Sequence, residues 1–280
     1  MKPIGLLTSQ ELSQLIPDEN YLITALAQEN LTAKPVIWNQ KNNWSDYQAI
    51  IIRNPWDYFE HQEHFFTTLQ EISTQTKLFN SYPLVKWNLS KTYLFDLHKL
   101  GAHLAPTIRI SGKENLRPFI QNSPYEDLVI KPLISAGAYL TYRFKKSHIP
   151  PEVLNLPVDH YEFMLQPFLP DIQTEGEYSF IYLGGHFSHA IVKRPKSGDF
   201  RVQSEYGGSV DPYAPSESEL KMTDFIHSIL PEKPHYARID LARFEGKLVI
   251  MEVELLEPEL FFRTSPDSAK LLAQSIKASL

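Results

Sequence analysis

The stretch Tyr236-Ala-Arg-Ile-Asp-Leu-Ala-Arg-Phe-Glu-Gly-Lys-Leu-Val-Ile-Met-Glu-Val-Glu-Leu255 decides the reading of this chain. Two β-rich runs flank Glu245-Gly246-Lys247, a pattern that predicts a hairpin. With the loop centred on Gly246, Asp240 lies across from Glu252 and Arg238 across from Glu254. Side chains alternate along a strand, so these four share one face, and Ile239, Leu241, Val249, Met251 and Val253 take the other, against a core. Arg238 can neutralise Glu254. Nothing in the hairpin neutralises Asp240 facing Glu252, and like charges directly opposed on paired strands are destabilising. Two readings meet that observation. One is a solvated polar face that tolerates some repulsion. The other is a hard cation bound by oxygen ligands, as Mg²⁺ is by one or two carboxylates together with substrate phosphates.

The bulk composition narrows the function classes. With 280 residues the chain can form one large or two to three small domains with well-buried cores. Apolar content of 42% and charged content of 21% are ordinary for a soluble globular protein. The net charge of −6, from 27 basic and 33 acidic residues, argues against a nucleic-acid partner, which calls for a basic excess. No apolar run approaches a membrane span, and the N-terminal apolar stretch is too short for a secretory signal, so a cytoplasmic protein without a membrane partner is expected. The absence of cysteine excludes disulfides, zinc thiolate sites and thiol catalysis.

Outward from the hairpin, the order of elements predicts an α/β (α+β) fold. Strands are expected at Pro3–Leu7, Pro35–Trp38, Tyr47–Arg53 and Lys77–Asn80, with helices at Asp18–Leu31 (capped by Asp18) and Phe59–Ile72. Alternating strands and helices favour a parallel sheet whose ligands sit beyond the carboxyl ends of its strands. Arg53-Asn-Pro-Trp-Asp-Tyr58 follows such a strand, which makes Arg53 a candidate ligand-facing residue. A helix is expected over Leu89–Leu100, capped by Asn88 or Ser90 and ended by Gly101. Strands at 127–132 and 138–144 enclose the small-residue loop Ile134-Ser-Ala-Gly137, and a β-rich region runs from Tyr178 to Lys193. A helix from about Asp267 closes the chain.

No P-loop, G-x-G-x-x-G, H-E-x-x-H or G-x-S-x-G is present. What remains is a set of lysines, arginines and acids. Lys131 and Lys193 each end a strand, and Arg201 follows the turn Ser197-Gly198-Asp199. Together with a small-residue loop and an acidic cluster they suggest a nucleoside triphosphate with Mg²⁺.

The collinear order of Trp87-Asn-Leu-Ser-Lys-Thr-Tyr-Leu94, Val129-Ile-Lys-Pro132, Gln166-Pro-Phe-Leu169, Gly176-Glu-Tyr-Ser179, Lys193-Arg-Pro-Lys-Ser-Gly-Asp-Phe-Arg-Val-Gln203 and Met251-Glu-Val-Glu-Leu-Leu-Glu-Pro-Glu-Leu-Phe261 resembles the ATP-grasp superfamily. Within it, the chain is similar to the glutathione-synthetase-like branch, which includes the ligase that closes the cycloserine ring. The resemblance implies an ATP-grasp fold with a Rossmann-like pre-grasp domain at 1–86, a small lid subdomain at 87–162 and a large subdomain with the Mg site at 163–280. It implies that Lys91 and Lys131 contact ATP, that the loop of Ser135 and Gly137 covers the triphosphate, and that Gln166, Pro167, Phe168 and Leu169 form the hinge against adenine. Glu177 would bind the ribose. Lys193 and Arg201 would be catalytic, holding the γ-phosphate and the developing acyl phosphate. Asp240, Glu252 and Glu254 would ligate two Mg²⁺ ions, with Mn²⁺ as the alternative metal. The implied reaction is ATP-dependent ligation of a small-molecule carboxylate to an amine. Ring closure or peptide modification, and a non-catalytic nucleotide-binding module, are the competing readings. The branch also implies a homo-oligomer.

Overall fold

The computed structural model describes residues 2–111, 116–135, 139–196 and 207–280. Its first unit is a parallel sheet built from β1 (Ile4–Thr8), β2 (Ala33–Ile37), β3 (Ala49–Asn54) and β4 (Lys77–Phe79), in the order β2-β1-β3-β4. Helices α1 (Glu19–Gln28) and α2 (Gln62–Gln75) connect the strands. β1 and β3 are buried along their whole length, as expected of strands covered on both faces. Period-2 alternation divides them: Ile4, Leu6 and Ile51 meet Leu22 and Leu26 of α1, whereas Leu7, Ile50 and Ile52 meet Phe65, Leu69 and Ile72 of α2.

Two short helices follow, α3 (Tyr82–Asn88) and α4 (Tyr93–Lys99), where a single helix over 89–100 is expected from the sequence. The break at 89–92 has a local cause. Lys91 N–H donates to Leu133 O at 2.8 Å instead of to the preceding turn. Asn88 is not a cap. Its buried amide donates to Val253 O and accepts from Leu255 N–H, tying α3 to the signature hairpin.

The second unit is an antiparallel sheet of β5 (Ile108–Ile110), β6 (Asp127–Pro132), β7 (Tyr142–Lys145) and β8 (Phe163–Pro167), ordered β5-β8-β6-β7, with α5 (Leu116–Asn122) and α6 (Pro151–Leu154) beside it. β8 therefore pairs within this sheet, and the sheet extends to Pro167. After α7 (Asp171–Thr174) comes a five-stranded antiparallel sheet of β9 (Glu177–Leu183), β10 (His186–Arg194), β11 (Ser209–Tyr213), β12 (Tyr236–Phe244) and β13 (Lys247–Glu254), ordered β11-β10-β9-β12-β13. Helix α8 (Glu217–Ser228) starts with a capping box between Ser216 and Glu219. The final helix α9 (Ser268–Ala278) packs Leu272, Ala273 and Ile276 with α1, so the chain's end returns to the first sheet.

Candidate functional site: an acid- and lysine-lined cavity between the sheets

The β12–β13 hairpin has the register read from its sequence, Arg238 opposite Glu254 and Asp240 opposite Glu252. The facing of its apolar residues is only partly as expected. Leu241 pairs with Ile250, which leaves Met251 as an extra residue, a β-bulge beside the acids. Beyond the bulge the alternation inverts. Leu248 and Ile250 join the core with Ile239, Leu241 and Val253, while Val249 and Met251 turn to the opposite face with Leu169 and Ile172.

That opposite face opens on a cavity of about 1150 Å³. Lys91, Lys131, Ser135, Gln166, Pro167, Phe168, Leu169, Glu177, Lys193, Asp240, Glu252 and Glu254 all line it. Thus twelve residues singled out in the sequence, drawn from all along the chain, meet around one space. Gly137 and Arg201 lie outside the described residues.

Arg53 does not line the cavity, and its expected ligand-facing role is corrected. It is completely buried, and its guanidinium holds the equally buried Glu19 of α1 through contacts of 2.7–3.0 Å and Pro258 O at 2.9 Å. The segment after β3 reaches the cavity through Trp56 and Tyr58 instead. Asp18, expected as the α1 cap, makes no capping bond; its carboxylate accepts the N–H groups of Phe262 and Arg263, both at 2.8 Å.

At one end of the cavity Phe168, Leu169, Ile172, Val129 and Met251 form an apolar slot. Arg143 lies over the Phe168 ring at 3.4 Å and is itself held by Asp127, at 2.7 and 3.1 Å. Phe168 N–H is spent on Asp127 O at 2.9 Å, whereas Leu169 N–H has no partner among the described residues. An apolar slot edged by a free backbone donor suits a planar heteroaromatic ring. Gln166 does not present its amide to that ring edge, since Nε2 donates to Thr107 Oγ1 at 2.7 Å.

Next to the slot the charges are interlocked. Lys193 Nζ lies 2.5 Å from Glu177 Oε1 and 3.2 Å from Asp240 Oδ2. Gly176 makes this possible: at φ +101° it lets the backbones touch, and a Cβ there would stand 2.5 Å from Lys193 O. The Asp240 carboxylate also accepts from Ser179 Oγ and from Arg238, whose Nε and Nη2 lie 3.0 Å from its two oxygens. Arg238 bonds Glu254 as well. Lys91 Nζ sits 3.0 Å from Glu252 Oε1 and 3.1 Å from Ser135 O. The repulsion between Asp240 and Glu252 is therefore met within the chain. Arg238, read from the sequence as the partner of Glu254 alone, bridges two acids, and Lys91 and Lys193 arrive from other elements.

Titration follows this pattern. Burial alone would raise the Asp240 carboxyl, but Arg238 and Lys193 outweigh it and hold it well below the usual range. Lys91 and Lys131 likewise override burial at Glu252. At Glu254 the order reverses: burial, joined by Glu252 and Asp240, overcomes Arg238 and pushes the carboxyl up. Burial also pushes Glu257 up to about 7, with Glu252 adding to it and a Tyr58 hydrogen bond opposing. Burial lowers Lys131, partly offset by Glu252. Seven acids and five cations line the cavity among the described residues.

No three of these acids are drawn together closely enough to form a metal cage among the described residues, and Asp240, Glu252 and Glu254 are each paired with a cation of the chain. The donor set nevertheless fits a hard cation. It includes the carboxylate oxygens of Asp240, Glu252 and Glu254 on adjacent strands, and the seven acids lining the cavity outnumber its five cations. Sequence reasoning did not single out Glu257, Glu259 or Arg263. All three line the cavity, and they directly follow the acidic motif in the chain.

Comparisons with known proteins bear on the family and the fold. Residues 93–258 match the prokaryotic glutathione synthetase ATP-grasp domain family, and residues 4–80 match the N-terminal domain family of the D-cycloserine synthetase DcsG. The chain is 28% identical over 279 residues to the cycloserine biosynthesis protein DcsG of Streptomyces lavendulae, covering 92% of each. It superposes on the crystal structure of D-cycloserine synthetase DcsG with a TM-score of 0.88 at 25% identity, over 99% of both chains. D-alanine–D-alanine ligase from Bacillus anthracis complexed with ATP shares the fold, with a TM-score of 0.68 at 16% identity over 100% of this chain and 99% of that one. No helix among the described residues is long and apolar enough to cross a membrane. The chain belongs to the prokaryotic glutathione-synthetase ATP-grasp family and is an ATP-dependent ligase that forms carbon–nitrogen bonds.

Proposed function

We propose that the protein activates the carboxylate of a small molecule as an acyl phosphate and passes it to an amine. The observation that carries this reading is the shared cavity: an apolar slot with a free backbone N–H, three lysines and the acids of β12 and β13 all face one space. Adenine would lie in the slot against Leu169 N–H, with Lys91 and Lys131 on the phosphates and Ser135 and Gly137 in the covering loop. Glu177 would take the ribose hydroxyls once ATP displaces Lys193 towards the γ-phosphate. Lys193 and Arg201 would then compensate charge on the transferring phosphoryl group, where positioning and electrostatics carry most of the catalysis. Asp240, Glu252 and Glu254 would hold two Mg²⁺ or Mn²⁺ ions. Bound there, the metal supplies charge compensation on the phosphate oxygens. The carboxylate oxygen attacks the γ-phosphorus and ADP leaves; the amine then attacks the acyl carbon and inorganic phosphate leaves. The acyl phosphate is lost if water reaches it, so Trp56, Tyr58 and Phe59 on one side and Tyr139 on the other would exclude solvent; Phe59 and Tyr139 already touch, with ring centroids 5.8 Å apart.

A division at 86/87 and assembly as a homo-oligomer belong to the same proposal, read by limited proteolysis and light scattering; the second boundary expected at 162/163 would part β8 from its partners β5 and β6, so on the pairing it falls after Pro167. The chemistry is tested by ADP release over pooled amino acids and small carboxylic acids, with hydroxylamine added to capture the acyl phosphate as a hydroxamate. Hydroxamate formed in step with ADP supports the reading. Substrate-dependent ADP release without any hydroxamate would reject the acyl phosphate. Similarity to the cycloserine-forming enzyme favours ring closure as the second reading, which predicts turnover with a single organic substrate.

A further inference from the structure

After β13 the chain leaves the sheet, and its next carbonyls have no ladder to join. Four successive ones are taken by side chains instead. Leu256 O accepts the Tyr236 hydroxyl at 3.2 Å, Glu257 O accepts Trp56 Nε1–H at 3.2 Å, Pro258 O accepts Arg53 Nη2–H at 2.9 Å, and Glu259 O accepts Arg238 Nη1–H at 3.2 Å. Tyr236 and Arg53 are completely buried, and Pro258 narrows the backbone freedom of the residue before it. The segment thus holds Glu257 at a fixed place on the cavity wall.

Glu257 differs from the other acids that line the cavity. Each of those pairs with a lysine or arginine of the chain, whereas Glu257 has no cation partner among the described residues and meets the Tyr58 hydroxyl. Glu252 and Glu254 on β13, Lys91 before α4 and Arg238 on β12 complete its charged surroundings. Burial, with Glu252 adding to it, raises this carboxyl to about 7, so near neutral pH it both takes up and gives up a proton. No histidine lines the cavity among the described residues.

We propose that Glu257 is the general base of the ligation step and takes a proton from the amine that attacks the acyl phosphate. An amine reaches the site as an ammonium, whose lone pair is blocked until a proton leaves. The ammonium gives one proton to the Glu257 carboxylate, the freed nitrogen attacks the acyl carbon, and the bond from that carbon to the phosphate oxygen breaks. The second proton lost by nitrogen leaves with hydrogen phosphate, and the half-buried Glu257 returns the first to solvent. Tyr58 is a positioning residue, orienting the carboxylate through its hydroxyl. This deepens the ligase reading and rests on it.

The test runs wild type, Glu257→Gln and Glu257→Asp over the same pooled amino acids and small carboxylic acids, with ATP and Mg²⁺. One arm reads amide product by mass spectrometry, cyclic products included. The other adds hydroxylamine, which is largely uncharged at neutral pH and needs no proton removed before it attacks, and reads hydroxamate. For the amide so found, Glu257→Gln should lower kcat about 100- to 10,000-fold, with Glu257→Asp in between. Hydroxamate formation should fall far less, and AMPPNP affinity should be kept. Equal losses in both arms, a raised KM at unchanged kcat, or amide formation at the wild-type rate would each overturn the assignment. Hydroxamate made by wild type would in each case leave the ligase reading standing. Wild type that releases no ADP with any pooled acid would overturn that reading and this proposal with it.

Discussion

Replacing Arg53 by alanine should destabilise the protein rather than impair substrate binding. Arg53 and Glu19 expose 0% and 1% of their side chains, and the guanidinium makes three contacts of 2.7–3.0 Å with the carboxylate and a fourth, 2.9 Å, with Pro258 O. Burial opposes the charged guanidinium, and the Glu19 carboxylate more than offsets it. Removing one partner of a buried pair leaves the other charge uncompensated, which costs about 3–5 kcal/mol. For a chain of this size that corresponds to a fall in Tm of about 6–20 °C. Replacing both, as Arg53→Met with Glu19→Leu, removes the stranded charge and should recover most of the loss, because a well-packed apolar pair is often neutral or better. Thermal and urea denaturation followed by circular dichroism, run on the two single variants and the double variant, give the coupling energy directly. A loss under 1 kcal/mol in Arg53→Ala, accompanied by a raised KM, would refute the structural assignment and restore the ligand-facing role read from the sequence.

Three further expectations follow from the site. Gly176→Ala should lower turnover and cost about 1–3 kcal/mol, since it places a Cβ against Lys193 O at a positive φ; unchanged activity and melting would show that the contact of β9 with β10 is not strained. Lys131→Ala should weaken AMPPNP binding measured by calorimetry, and equal affinity would remove Lys131 from the phosphate site. Glu257 binds its proton more tightly folded, at about 7, than the ordinary 4.5 of the unfolded chain. Its contribution therefore leaves stability untouched below pH 4.5, erodes it as pH rises to 7, and is fully unfavourable above that. In EDTA, Glu257→Gln should remove about 1–3 kcal/mol of that decline, and identical pH profiles for variant and wild type would contradict the burial of this carboxyl.

Much of this was legible in the sequence because it depends on short-range patterning. The hairpin register followed from one turn, and the parallel sheet followed from the alternation of strands and helices. The chain also carried signals for elements that were passed over. Ser216-Glu-Ser-Glu219 is a capping box opening α8, and Ser81-Tyr-Pro83 opens α3, where the Ser81 hydroxyl accepts Leu84 N–H. What escaped depends on distant partners. Nothing within β12 and β13 indicates a bulge at Met251, yet that one residue turns Val249 and Met251 from the core towards the slot. The fate of Arg53 is decided by Glu19, 34 residues earlier, and by Pro258, 205 later. Asp240 and Glu252 looked uncompensated because Lys91 and Lys193 come from other elements.

The most direct test of the nucleotide and metal site is calorimetric titration of AMPPNP, with and without Mg²⁺, into wild type and Glu252→Gln. The expected result is binding that Mg²⁺ strengthens in wild type, with that strengthening lost in the variant while the variant keeps its fold. Binding indifferent to Mg²⁺ in wild type, or equally Mg²⁺-dependent in Glu252→Gln, would contradict the assignment of the β12–β13 carboxylates as metal ligands.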